Sequence, residues 1–191
     1  PGTLAGDALL EASRPNLLLA LAVEGDRLGA AWLDVSTGLF ETQGLAARDL
    51  PGLLGRLDAA EILAPPAIPL GEWEERRAPE PPPVAPAQAS RRLAEAFGAA
   101  SLDAFGSFGE AEAVAAWQAL DYVRAASAGA LPRLQHPLPV GQAGRLELDA
   151  ATRASLEVAR ARDGGTRFTL LAAVQRTTTA AGARLLAEWL A

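Results

Sequence analysis

Asp34 and Glu61 are the side chains of this 191-residue chain whose type and expected position could do hydrolytic chemistry. Hard divalent cations take oxygen ligands, and two Mg²⁺ held by three or four carboxylates clamp an in-line displacement at phosphorus. Asp34 falls near the end of an expected strand and Glu61 at the start of another, but no third acid is placed to complete the set. The competing reading is local, and it is favoured: Asp34 caps the turn in "DVSTG" by accepting backbone N–H groups, and Glu61 merely opens a strand. Other chemistries fall away on residue type. Cys is absent, which excludes disulfides and thiolate metal sites, and the lone His136 cannot build a zinc centre. All 17 basic residues are Arg, so a phosphate loop of the form G-x-x-x-x-G-K-[ST], which needs Lys, cannot occur. Gly164–Gly165 could open a phosphate-cradling turn. Nothing that completes a nucleotide site follows it, and the pair reads as a turn between helices.

Charge is unevenly divided. Residues 1–143 hold 10 Arg against 18 acids, net −8, and residues 144–191 hold 7 Arg against 5 acids, net +2, within the −6 of the whole chain. Nonspecific DNA binding runs on cation–phosphate contacts and counterion release, so the first portion is a poor DNA binder unless folding gathers its arginines on one face. The arginines do not cluster in sequence, and the exclusive use of Arg reads as the bias of a GC-rich genome. Half the residues are hydrophobic, ample for a buried core in one large or two small domains. No apolar run approaches the ~20 residues that span a bilayer, and no signal peptide is visible. A soluble, cytoplasmic protein with no membrane partner is expected. Pro1 opens a chain free of Met, and Leu185, Leu186, Trp189 and Leu190 near its end need a partner, so an internal segment of a longer protein is expected.

The elements that must position these residues can be read from periodicity. Over residues 17–42, "EGD" and "STG" separate Leu17–Val23, Leu28–Val35 and Leu39–Thr42, which predicts a three-strand antiparallel meander. The first run is nearly all apolar, as suits a strand covered on both faces. In "RDLPGLLGRLDAA" (48–60), Leu50, Leu53, Leu54 and Leu57 fall at helical spacing, and Pro51 sits where a first turn tolerates it. "EILA" (61–64) then reads as a short buried strand. The order β-β-β-α-β implies a mixed sheet with helices packed on it. "PEPPPVAP" (79–86) reads as a polyproline-type loop rather than a partner ligand. Helices are expected over 87–98 and 109–129, the second with Val114, Trp117, Leu120 and Val123 inward, and 130–144 reads as an extended domain junction. Three helical segments are expected in the tail, the first capped by Asp149 with Leu156 and Ala159 inward. Arg153 and Glu157, at i and i+4, would pair for a few tenths of a kcal/mol unless Arg153 reaches another domain. Trp32, Trp117, Trp189 and Leu190 are expected in cores. Trp73, among "GEWEERR", is the tryptophan whose setting allows exposure, which would mark a partner surface.

Two stretches of the tail resemble signatures of the MutS family. "LDAATRASLEV" (148–158) is similar to the "DAATRRNLE" motif that opens that family's core domain. Asp149, Ala150, Ala151, Thr152, Arg153, Leu156 and Glu157 match it, while Ala154 and Ser155 stand for the usual Arg-Asn. "TTTAAGARLLAEWL" (177–190) resembles T-x-T-x-M-G-x-R-x-L-x-x-W-L. Here Thr177, Thr179, Gly182, Arg184, Leu186, Trp189 and Leu190 match, and Ala181 replaces Met. Upstream, "PGT" (1–3), "NLLLALA" (16–22), "LDVSTGLF" (33–40, with Asp34, Ser36, Thr37 and Gly38), "AEIL" (60–63), "FGAASLDAFG" (97–106) and "GALPRL" (129–134) resemble connector-domain landmarks in order.

This resemblance implies an α/β (α+β) fold class: a ribonuclease-H-like mixed sheet with flanking helices over residues 1–143, the connector domain. The helical start of the all-α core domain would follow over 144–191. It implies dimers that clamp duplex DNA, detect mispairs with an inserted aromatic residue, and form sliding clamps through a C-terminal ATPase. The chain itself would then be no enzyme, with no catalytic, cofactor or metal residue; ATP and Mg²⁺ would belong to the parent's ATPase domain. Its partners would be the remaining MutS domains, the dimer partner, mismatched duplex DNA reached through the parent, and MutL, which meets the connector. Phe108-Gly109-Glu110 fits the Phe-x-Glu of a mismatch reader formally, but it opens a helix in connector-type sequence and reads as coincidence. Two alternatives stay open: a ribonuclease-H-type nuclease on Asp34 and Glu61, and a MutS paralogue acting outside mismatch repair.

Overall fold

The computed structural model describes residues 16–127, 133–141, 152, 155–161 and 164–190. At its centre β1 (Leu18–Glu24), β2 (Arg27–Asp34) and β3 (Leu39–Ala46) pair antiparallel as the expected meander. Gly25, at φ 62°, provides the left-handed position that the tight β1–β2 turn requires. Helix α1 (Leu50–Leu57) crosses over, and β4 (Glu61–Leu63) returns parallel to β1. Helices α2 (Pro86–Ala96) and α3 (Glu110–Ala126) follow, and a two-residue strand β5 (Leu138–Pro139) pairs parallel with β3. The sheet order is β4-β1-β2-β3-β5, a mixed sheet with helices on both faces. It is the ribonuclease-H-like, α+β class that the resemblance implies. The tail carries α4 (Leu170–Val174) and α5 (Ala180–Leu190).

Strand alternation divides the core in two. Leu18, Ala20, Ala31, Leu33 and Phe40 point to the face covered by α2 and α3, where Leu93, Trp117, Leu120 and Val123 are buried. Leu17, Leu19, Leu21, Trp32 and Leu45 point to the other face, covered by Leu50, Leu53, Leu54 and Leu57 of α1. β1 is therefore apolar on both sides because both sides are roofed. Each such leucine contributes about 1.5–3 kcal/mol by leaving water. α3 lies directly on β2 at Gly29, where any side chain would overlap the backbone of Ala111. Its first turn is held by Glu112, which accepts from Gly109 N–H at 2.8 Å and from the Thr42 hydroxyl at 3.2 Å.

Several expectations need correction. β3 continues past Thr42 to Ala46, because Gln43 and Leu45 keep alternating against β2 and α1. The stretch read as an extended junction contains β5; Pro139 blocks a strand interior but is tolerated at a sheet edge. β5 reaches β3 past Gly38, whose φ of 80° and bare Cα let the Arg133 carbonyl approach and Gln135 N–H bond to the Gly38 carbonyl at 2.8 Å. The first tail helix is cut short. Residue 157 is Glu at φ 49°, so the chain leaves the helix there, Leu156 turns outward at 56% exposure, and Val158 is buried in its place. Ala159 is half-buried. Trp189 is 75% exposed rather than in a core, since α5 turns Ala183, Arg184 and Ala187 inward and Leu185 and Trp189 outward. Trp73 is half-buried and packs against the α1-side core, so it marks no free surface. Arg153 and the cap Asp149, with Ala150 and Ala151, lie outside the described residues.

Candidate functional site

The "DVSTG" motif forms the β2–β3 turn. Asp34, 1% exposed, accepts from Ser36 N–H at 2.7 Å and from the Ser36 hydroxyl at 2.5 Å. Gly38 N–H closes the turn on the Asp34 carbonyl at 2.9 Å, and Leu39 N–H donates to the Thr37 hydroxyl at 3.3 Å. Asp34 is thus the turn cap that the local reading expected.

Glu61 is elsewhere. Leu18 pairs with Leu33 on one side and Glu61 on the other, so Leu33 and Glu61 share a face and Asp34, one residue on, projects from the opposite face. Glu61 faces α3, where it accepts from the Tyr122 hydroxyl at 2.5 Å. Burial first, and then this hydrogen bond, push the Tyr122 phenol up to about 12. Two carboxylates on opposite faces cannot share a metal pair. Among the described residues no group of three or more His, Asp or Glu could hold one. A phosphate loop of the form G-x-x-x-x-G-K-[ST] is excluded as well, since the chain has no Lys.

The tail signature meets this turn. Arg184, 1% exposed, donates from Nε to the Ser36 hydroxyl oxygen at 3.0 Å, joining residues 148 apart in sequence. Ser36 therefore stands between a buried guanidinium and a buried carboxylate. Thr179 caps α5, its hydroxyl accepting from Gly182 N–H at 3.0 Å; Thr177 lies exposed before it, and Leu190 is half-buried. A second tether lies nearby: Arg160 Nη2 reaches Asp58 Oδ2 at 2.9 Å, and the other oxygen of Asp58 holds Arg76 at 2.5 Å. Of the first tail motif, Thr152 is exposed, and the Glu157 and Val158 carbonyls accept from Leu170 and Leu171 N–H.

Sequence reading missed Arg77, which organises the proline-rich approach to α2. Its guanidinium donates to the carbonyls of Ala64, Pro65 and Ile68 at 2.8–3.0 Å and pairs with Glu74, whose carboxyl the Arg77 hydrogen bond holds below the usual range. Only the arginine's place between two turn regions hinted at this. A groove of about 620 Å³ separates α2 from α3 on the outer surface. It is lined by Arg92 stacked over Trp117, with Glu95, Asp121 and Arg124, so it offers both signs of charge. Phe108 of the formal Phe-x-Glu packs against the α2/α3-side core, and Glu110 opens α3.

Comparison with known proteins matches residues 16–135, the sheet and its helices, to the family model for MutS domain II. A DNA mismatch repair protein MutS from Granulibacter bethesdensis is 63% identical over 190 residues, covering 100% of this chain and 20% of its own. Those from Azorhizobium caulinodans and Zymomonas mobilis are 41% and 37% identical, covering 100% and 97% of this chain and 22% of theirs. The chain spans about a fifth of the length of the curated relatives it matches. Among the described residues no helix is long and apolar enough to cross a membrane.

Proposed function

This chain belongs to the MutS family through its domain II, and from that premise we propose that it is the connector of a DNA mismatch-recognition ATPase, with residues 144–191 opening the core. Its work is mechanical. It relays between mismatch-reading and ATP-hydrolysing domains elsewhere in the parent and offers MutL a docking surface. The observation that carries this reading is the union of a domain II sheet with the following helices through Ser36 and Arg184. A relay requires such a joint, because a signal can pass only through elements that move or hold together.

The chain's own residues bind no nucleotide in this reading, and its net −6 makes it a weak partner for phosphate. The isolated chain should hydrolyse no ATP and should bind duplex DNA weakly, releasing it as salt rises. It should also be retained on immobilised MutL. Tight binding selective for a mispaired duplex would sink the reading, as would ATP turnover.

A further inference from the structure

Much of the tail's large apolar surface faces outward: Phe168, Leu170, Val174, Leu185 and Trp189 are exposed, while Val158 and Leu171 are buried. What faces inward on α5 is Ala183, Arg184 and Ala187. Two polar contacts join the tail to the sheet unit, Arg184 to Ser36 and Arg160 to Asp58, and both land at one end of the sheet. Asp34 ends β2 there, and the segment after Asp58 is bonded to the start of β1 through Ala60 N–H and the Leu17 carbonyl.

The two tethers differ physically. Arg184 is buried out of water, and its Nε bond to Ser36 is one of the contacts that compensate its charge there, so breaking that link is costly. The Ser36 hydroxyl accepts from Arg184 and passes its own proton donation to Asp34, so removing any one of the three breaks the chain of bonds. Arg160 is half exposed, with 47% of its side chain accessible, and salt screens such a pair.

We infer that α5 is latched to the sheet by a two-point polar clasp: Arg184 through Ser36 to Asp34 as the buried catch, and Arg160 to Asp58 as the exposed one. The clasp fixes the seat of the tail beside the small inward face of Ala183 and Ala187, and loss of the buried catch loosens the tail while the sheet stays folded. This deepens the relay reading and rests on it for its purpose alone, since the clasp is tested by geometry and the relay by MutL and DNA binding.

The absence of Cys makes the test direct: cysteines introduced at exposed Asp26 and Thr178 of the full chain carry a spin-label pair across the joint. The unaltered joint should give one narrow distance, little changed as salt rises from about 0.1 to 1 M, because only the exposed catch is screened. Arg184→Met and Ser36→Ala should each add longer distances, and α5 amides should exchange roughly tenfold faster or more while β1 and β2 keep their protection. Arg160→Gln, at the surface, should leave the fold and the distance unchanged at either salt, because it removes the screened catch, whereas Ser36→Ala, left with that catch alone, should broaden further as salt rises. An unchanged distribution in Arg184→Met and Ser36→Ala overturns the clasp. So does loss of β1 and β2 protection together with α5, which would make Arg184 part of one cooperative core.

Discussion

Tyr122 is the one tyrosine of the chain, so its ionisation can be followed by phenolate absorbance without interference. Burial and the Glu61 carboxylate favour the neutral phenol and raise it to about 12, against about 10 for a free tyrosine. The sign follows from linkage. A group whose folded pKa lies above its unfolded value adds stability that is fully present below about pH 10 and is lost as pH rises toward about 12. The titration should therefore show one step centred near 12, and Tyr122→Phe should abolish it. A midpoint at the free-tyrosine value would show that the Glu61 contact does not form in solution. At the same scale, Asp34 was legible because Asp, Ser, Thr and Gly in that order are turn chemistry whatever surrounds them. Its link to Arg184 was not legible, because nothing local distinguishes an arginine that will be buried from one that will be solvated.

Among elements, the meander and α1 follow from alternation and from leucines at three- and four-residue spacing, and these were readable. The contact of α3 with β2 depends on one residue that the pattern does not explain, Gly29, in the middle of a strand that otherwise prefers side chains. Gly29→Val should push α3 off the sheet and cost several kcal/mol, of order 2–4, through overlap with Ala111. Denaturant unfolding checks this, and the hydrogen bond between Thr42 and Glu112 should be lost with it. Unchanged stability would mean that α3 has slack on the sheet. β5 was unreadable for the opposite reason. Two residues, one a proline, hold no periodicity, and only the approach past Gly38 brings them to an edge that accepts them.

For the whole molecule, the tryptophans report how the chain divides its apolar surface. Trp32 and Trp117 are buried at 1% and 7% exposure, while Trp189 is 75% exposed. Iodide should quench a Trp189 component strongly and half-buried Trp73 in part, leave Trp32 and Trp117 nearly dark to it, and Trp189→Phe should remove the strongly quenched fraction. If the isolated chain resists quenching, Trp189 has found a cover that this seating of α5 does not supply. Iodide tests a joint whose two sides were each recognisable as motifs and whose contact was not.

The sequence by itself determined the class of the fold, the family, and the absence of the residue types that nucleotide phosphate loops and thiolate metal sites need. Each of these depends on composition or on patterns within a few turns of chain, where alternation, turn residues and missing Lys or Cys act locally. Only the tertiary structure decided that Asp34 and Glu61 stand on opposite faces, that Leu156 and Trp189 point outward, and that Arg184 meets Ser36 from 148 residues away. These follow from strand register, from a left-handed Glu157 and from the seating of α5. All are set by long-range packing, where a side chain's partner is fixed by the closing of the fold and leaves no mark in the spacing of its neighbours.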